Sequence, residues 1–301
     1  MTSTAQFAAG CLFTSISLLF FTLNAGLLLI TVTDKKFSNG TYLIMKNIFV
    51  SCMMQQMAIL FGGLMTWTGW YHQFPIVEKV FGALMASGWF LYLFLSLALA
   101  INRLAVFVYS GFHRIESSLS RTLLAISWLV WLAFMIVLSL PQYGFILNKP
   151  HYIDWNYRDG SGTIGFIGMI INYTITALLL LIYSAIFVIL VKSKSKSKSI
   201  SQNIRKELRI LAISVGSFLF STTTIGAYLW VPNLIPDSQV LSLVMHMNWM
   251  LDCGFFAVAT VLINTIIKTK IKKIVNGNAT IKVVPTSEKT PGTVSVFTVK
   301  L

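Results

Sequence analysis

The chain has 301 residues, of which 56% are hydrophobic and only 11% are charged, and its net charge is +14. This composition excludes a soluble globular protein, because a soluble core could not bury so much apolar surface, and it indicates a membrane protein. The basic residues lie beside apolar segments, which favours anionic lipid of the inner leaflet as their partner and argues against nucleic acid.

Seven apolar segments follow one another, each long enough to cross a bilayer as a helix. The predicted spans are 8–32, 42–67, 80–108, 121–143, 163–191, 207–231 and 240–267. We therefore predict an all-α membrane protein, with residues 1–275 as one seven-helix bundle. Isoleucines between lysines predict that residues 268–275 form a short amphipathic helix at the membrane surface. The polar residues 276–301 predict a disordered tail.

The placement of positive charge predicts the orientation of this bundle. Twenty of the 23 Lys and Arg residues fall on one side of the seven spans, and only Lys79, Lys149 and Arg158 fall on the other. Short loops rich in Lys and Arg stay in the cytosol, so we expect the N-terminus outside and the C-terminus inside. The alternating Lys and Ser residues of 192–199 suit an anionic surface, either as a solvated stop signal or as a contact for a signalling partner.

Cysteine and aromatic residues add two further expectations. Cys11, Cys52 and Cys253 all lie in apolar runs, so no disulfide is expected between external loops. Amphipathic rings prefer the membrane boundary, and six such residues fall near the predicted outer boundaries: Trp67, Trp70, Tyr71, Trp155, Tyr157 and Trp230.

An arginine next to hydrocarbon is the most informative functional signal. Asn102 and Arg103 close the third span, where an ionisable group is costly unless it is paired, gates a cavity or snorkels to the interface. Polar and aromatic residues accompany it in other spans, namely Asn24, Trp128, Tyr183 and Asn264.

With these residues in place, the chain resembles the rhodopsin-like G protein-coupled receptors, and more narrowly the nematode serpentine chemoreceptors of class T and class X. The resemblance rests on Leu99-Ala100-Ile101-Asn102-Arg103 and on Leu262 to Lys268. It implies that Arg103, next to Asn102, holds the inner ends of spans three and six together at rest and meets the G protein on activation. It also implies that Tyr183 supports the active state and that Asn264 is the asparagine of the span-seven motif. The implied partners are a small ligand, a heterotrimeric G protein and, as an open alternative, a second receptor.

The outer half of the bundle supplies candidates for ligand binding. Asp252 is the acid placed within a span, and it is interpreted either as an anchor for a cationic or hydrogen-bonding ligand or as a carboxylate bonded to Gln55, Gln56 or Asn248. Small-molecule pockets are mostly apolar with few polar groups. The other candidates are aromatic, methionine and amide residues of spans three, five and seven: Trp89, Phe90, Tyr92, Met169, Asn172, Tyr173, Met245, His246 and Trp249.

Other functions have weaker support in the sequence. A seven-span transporter of small solutes is the main alternative, but no internal repeat is visible and Pro141 alone of the seven prolines falls within a predicted span. An enzyme or a metal site is not expected, because the four histidines are dispersed without ligand spacing. We therefore expect a chemosensory receptor of the plasma membrane, with the sensory cilium as one location and no cofactor.

Overall fold

The computed structural model describes residues 3–69, 74–108, 116–147, 155–157, 160–196, 202–234, 239–276, 281–282 and 298–299. Seven of its helices are long and apolar enough to cross a membrane, as the sequence predicts. A lipid-embedded helix satisfies its own backbone hydrogen bonds, which explains why each apolar segment forms one. These helices are α1 (Ser3–Thr33), α2 (Gly40–Thr68), α3 (Pro75–Val108), α4 (Glu116–Ser139), α5 (Gly162–Lys196), α6 (Gln202–Leu234) and α7 (Gln239–Ile263).

The remaining elements are short. One 3-10 turn, Lys35–Phe37, links α1 to α2, and α8 (Thr265–Val275) follows α7 after Asn264 alone. Two antiparallel pairs complete the described chain: β1 (Phe145–Leu147) with β2 (Trp155–Tyr157), and β3 (Ile281–Lys282) with β4 (Thr298–Val299). Most of the predicted tail, the loop at Arg114 and residues 197–199 of the Lys and Ser run lie outside the described residues.

Helix α3 forms the centre of the bundle. It packs against α2, α4, α5 and α6 and against strand β1, whereas α1 packs on α2 and α7. The hairpin of β1 and β2, called the outer hairpin below, marks the end of the bundle that the charge distribution predicts to be extracellular. The orientation of the termini stays a prediction.

Two proline positions differ from the predicted spans. Helix α4 ends at Ser139, so Pro141 follows the helix instead of lying within it. Helix α6 continues to Leu234 and includes Pro232 in its last turn. Apolar length alone does not fix the helix ends. Helix α4 ends before Pro141 because the residue preceding a proline is disfavoured in the helical conformation, whereas α6 extends beyond its predicted apolar run at both ends.

Candidate functional site

A cavity of about 460 Å³ lies between the outer hairpin and the helices α3, α5, α6 and α7. Its volume falls within the range of small-molecule sites. Predicted candidates Trp89, Asn172 and Trp249 line this cavity, together with Phe90 and Met169. The side chains that line it and that the sequence did not single out as ligand contacts include Ala86, Phe145, Trp155, Tyr157, Phe166, Thr224, Ile225 and Tyr228.

Hydrogen bonds fix the rings of the cavity floor. The indole of Trp89 donates to Oδ1 of Asn172 at 2.9 Å, and the indole of Trp249 donates to Oε1 of Gln55 at 2.8 Å. The two indole rings meet nearly edge to face, with centroids 5.4 Å apart. Edge-to-face contact is a favourable arrangement of aromatic rings. These restraints hold the floor in one geometry before a ligand enters, and they leave the amide nitrogen of Asn172 available to the cavity.

The outer hairpin forms the roof of the cavity. Trp155 is only 2% exposed, so this residue is not part of a lipid-boundary belt as the sequence analysis predicted. Its indole packs against α2 instead, whereas Trp67 and Trp230 are 45% and 65% exposed as expected for the boundary. Burial raises the pKa of Tyr157 to about 12, so this phenol is neutral at physiological pH. Among the described residues that line the cavity, none carries a formal charge.

Five predicted ligand residues lie outside the cavity lining: Tyr92, Tyr173, Met245, His246 and Asp252. Met245 is buried. Tyr173 is 43% exposed, and its hydroxyl accepts a hydrogen bond from Trp230. His246 lies behind the roof, where its Nε2 accepts the backbone N–H of Trp155 at 3.0 Å. Tyr92 and Asp252 belong to a separate buried cluster, described next.

The buried cluster joins α3, α6 and α7 in the middle of the bundle. The hydroxyl of Ser221 lies 2.9 and 3.0 Å from the two carboxylate oxygens of Asp252. The hydroxyl of Tyr92 lies 2.8 Å from Ser217 and 3.2 Å from Ser221. All four side chains are buried. Asp252 thus has a hydrogen-bond partner on α6, and the partners suggested from sequence bond elsewhere.

The three partners suggested from sequence, Gln55, Gln56 and Asn248, form other hydrogen bonds that involve α7. Gln55 accepts from Trp249 and from the thiol of Cys253, and Gln56 donates to the carbonyl of Met250 at 2.8 Å. The side chain of Asn248 donates to Thr224 at 2.9 Å. Polar side chains of α2 and α6 therefore fix α7 on both sides of Asp252.

At the inner end, Arg103 is 1% exposed and joins three helices. It forms an ion pair with Glu207 of α6 and donates to Thr41 of α2 and, at 2.6 Å, to Oδ1 of Asn102. Asn102 in turn donates to Ser120 of α4 at 3.1 Å. These contacts are called the inner network below. A buried guanidinium with a carboxylate and several acceptors satisfies the requirement that a charge in the membrane be paired.

Helix α4 contributes a second carboxylate to the inner network. Oε1 of Glu116 accepts from the backbone N–H and the hydroxyl of Thr41, each at 3.2 Å. The carboxylate lies in the first turn of α4, where the helix dipole favours negative charge. The inner ends of α2, α3, α4 and α6 are therefore connected by one network of hydrogen bonds and an ion pair.

Tyr183 and Asn264, both predicted activation residues, lie beside this network. Tyr183 is buried against α6, where its ring centroid lies 5.5 Å from that of Phe218. The side chain of Asn264 donates to the hydroxyl of Tyr42 at 3.1 Å. Its Oδ1 also accepts from the backbone N–H groups of Ile266 and Ile267, so Asn264 is the N-cap that starts α8.

Helix α8 contacts the turn between α1 and α2. Lys270 forms an ion pair with Asp34 at 3.3 Å. The backbone N–H of Lys36 and the ammonium of Lys270 lower the pKa of Asp34 from its ordinary value, so this carboxylate is charged at neutral pH. Ile267 is fully buried, and Ile271 and Ile274 are partly buried. The lysine face of α8 therefore stays available for solvent or lipid headgroups.

Several contributors to these sites were not identified from sequence. Glu207 carries the clearest sequence signal among them, because an acid at the start of an apolar span needs a cation within reach. Thr41, Ser120 and Ser221 carry no signal of their own, since hydroxyl residues are common in membrane helices and often bond to their own backbone. Tyr228 was not identified because only the packing of the helices brings it to the cavity. Gln55 was named from sequence as a partner of Asp252, but it accepts from Trp249 and Cys253 instead.

A comparison with family models decides between the classes considered above. The family described as serpentine type 7TM GPCR chemoreceptor Srt matches residues 1–283. The chain belongs to this family. The predicted resemblance to class T serpentine chemoreceptors is thereby confirmed. No curated protein matches the Srt chain closely enough to add a function.

The fold of this Srt chain is also that of rhodopsin. The crystal structure of squid rhodopsin superimposes with a TM-score of 0.78 at 10% sequence identity, and the match covers 91% of this chain and 81% of squid rhodopsin. At so low an identity, the similarity shows the fold alone. The seven-helix bundle predicted from the apolar segments is therefore confirmed as rhodopsin-like, and the family is one of receptors.

Proposed function

We propose that this Srt receptor binds a small, uncharged molecule in the outer cavity and activates a heterotrimeric G protein from its inner face. The observation that carries the proposal is the pairing of two sites in one bundle. An aromatic cavity lies at one end, and a buried arginine held by an acid of α6 lies at the other. Helices α3 and α6 contribute to both, so a change at the cavity reaches the inner network through continuous helices.

The lining of the cavity supports a neutral ligand. The rings of Trp89, Phe90, Phe145 and Trp249 line the cavity, and Tyr157 adds a neutral phenol. The amide of Asn172 is the clearest hydrogen-bond donor, because its oxygen already accepts from Trp89. A compact molecule with an apolar or aromatic body and one acceptor group, such as a ketone or an ester, fits this arrangement.

Asp252 acts on the ligand from beneath the cavity in this proposal. The carboxylate bonds Ser221, which contacts Tyr92, and Tyr92 lies next to Trp89 with ring centroids 5.8 Å apart. Tyr173 and His246 also act on the ligand indirectly in this proposal, Tyr173 through Trp230 and His246 through Trp155. A cationic ligand would have to displace this floor to reach the carboxylate.

Activation requires only that the ligand bind one state of the receptor better than the other. At rest, Arg103 bonds Glu207, Thr41 and Asn102, which closes the inner ends of α2, α3 and α6. Activation separates the inner ends of α5 and α6, and movement of α6 away from α3 breaks the ion pair between Arg103 and Glu207. The surface around Arg103 is then exposed to the G protein. Tyr183 and Asn264 lie where α5 and α7 border this movement.

The cell surface is the expected location of such a receptor. A sensory-neuron plasma membrane, including a sensory cilium of a nematode, provides both external cues and a G protein. The basic segments near Lys192 and on α8 suit anionic lipid of the inner leaflet.

The test uses transfected cells and a panel of volatile and water-soluble odorants, with second messenger as the readout. Ligand-evoked signalling is expected in the parent and is lost in Arg103→Ala at equal surface expression. Arg121→Ala, an exposed basic residue of α4, is the matched control and keeps the response. Flux of an odorant into receptor vesicles, without any second-messenger change, would instead support the transporter.

A further inference from the structure

Two glycines form a seat for the outer hairpin. A Cβ atom added to Gly82 of α3 would lie 1.6 Å from the carbonyl oxygen of Phe145, and one added to Gly62 of α2 would lie 2.9 Å from Nε1 of Trp155. Real Cβ atoms do not approach other atoms so closely. The helices therefore lack side chains at the two points where β1 and the indole of β2 dock.

The third contact of the hairpin is a hydrogen bond to α7. The backbone N–H of Trp155 donates to Nε2 of His246 at 3.0 Å, and both residues are buried. An imidazole nitrogen accepts only when it carries no proton, so this contact requires the neutral ring with its proton on Nδ1. The hydroxyl of Tyr228 lies 2.8 Å from Nε2 and 3.1 Å from Nδ1, where its oxygen can accept the Nδ1 proton while Nε2 accepts from Trp155.

No covalent bond holds the hairpin to the bundle. The three cysteines of the chain, Cys11, Cys52 and Cys253, lie in α1, α2 and α7 and are all free. The roof of the cavity is consequently retained by packing and hydrogen bonds. Phe145, Trp155 and Tyr157 of the same hairpin line the cavity, so their displacement opens it.

We propose that His246 is a positioning residue that latches the outer hairpin over the cavity, so that a molecule enters or leaves when the Trp155 to His246 bond breaks. The inference rests on the proposed role of the cavity as the ligand site. It also explains why a buried histidine next to the cavity does not line it: its accepting nitrogen is directed at the backbone of the roof.

The latch is tested without any ligand, by the reactivity of a thiol inside the cavity. Ala86 lines the cavity and is buried, so Ala86→Cys places a thiol under the hairpin. The probe is 2-(trimethylammonium)ethyl methanethiosulfonate, applied to receptor in lipid nanodiscs, with the rate of modification followed by mass spectrometry. The receptor without Ala86→Cys gives the background from the native cysteines.

In this background, His246→Phe removes the acceptor and keeps a ring of similar size. We expect modification roughly fivefold to tenfold faster than in the parent, as for the loss of one hydrogen bond of ordinary strength. His246→Gln places an amide oxygen near the position of Nε2 and is expected to restore the parental rate. His246→Leu is made in parallel, so that at least one variant without an acceptor is available if the other does not fold.

Two results would overturn the latch. One is a variant without an acceptor that is modified no faster than the parent, and the other is a His246→Gln rate equal to that of His246→Phe. Hydrogen exchange at the amide of Trp155 should change in the same order. Because neither measurement uses odorant or G protein, a receptor with the expected rates but no signalling would contradict the proposed function and leave the latch intact.

Discussion

In the proposed mechanism, the ion pair between Arg103 and Glu207 stabilises the resting state, so its removal should raise basal signalling. Glu207→Gln removes the negative charge and keeps the shape of the side chain. A hydrogen bond to a charged group contributes about 1.5–3 kcal/mol, and we take the lower figure because the Glu207 side chain is 29% exposed. A loss of about 1.4 kcal/mol changes an equilibrium tenfold. A minor active state of about 1% would therefore rise to about 10%.

The assay is basal second messenger in the absence of odorant, normalised to surface receptor measured with an epitope tag. We expect basal signalling to rise about tenfold in Glu207→Gln and to stay at the parental level in Arg121→Gln, a control on the exposed face of α4. Arg103 keeps its bonds to Thr41 and Asn102 in the variant, so the receptor is expected to fold. Unchanged basal signalling at equal surface level would refute the idea that this ion pair holds the resting state.

Three further predictions follow from contacts described above. Gly82→Ala forces the hairpin off α3, so we expect loss of the odorant response and faster hydrogen exchange in β1. Gly226→Ala is the control: its Cβ would meet open space, so both measurements should stay unchanged. Asp252→Asn should keep the response to a neutral ligand and shift the midpoint of the dose-response curve by less than about tenfold, the effect of one weakened hydrogen bond. Complete loss of the response at equal surface level would instead indicate that Asp252 anchors a cation directly. Asn264→Ala removes the cap of α8 and the bond to Tyr42, which should destabilise the receptor by about 1 kcal/mol and lower its unfolding temperature in detergent. Asn276→Ala is the control, because Asn276 caps α8 through its backbone alone.

The number of spans could be predicted because apolar length alone encodes it. Asn102 and Arg103 also stood out from sequence, since a charge in hydrocarbon is rare and needs a partner. The partner itself could not be assigned, because Glu207 lies 104 positions away and only the bundle brings the two together. Proximity in three dimensions follows from how α3 and α6 pack, which apolar periodicity does not specify.

The position of the outer hairpin over the cavity could not be predicted from the sequence for a different reason. Trp155 lies in the connection between α4 and α5, where sequence alone cannot distinguish an aromatic residue that faces lipid from one that packs on the protein. The decisive features are Gly62 and Gly82, whose missing side chains become meaningful only once the hairpin is placed against them. Asp252 could be singled out from sequence as an acid within a span, but its hydrogen-bond partner Ser221 could not.

Attachment of the outer hairpin through two glycines and one histidine has a consequence for how receptors of this design diversify. A crosslinked loop must keep both sulfur atoms and their spacing, whereas this hairpin needs only the residues that dock on the helices, namely Phe145, Trp155 and Tyr157. Duplicated genes can therefore vary the rest of this connection between α4 and α5, and its attachment does not depend on the oxidation of a cysteine pair.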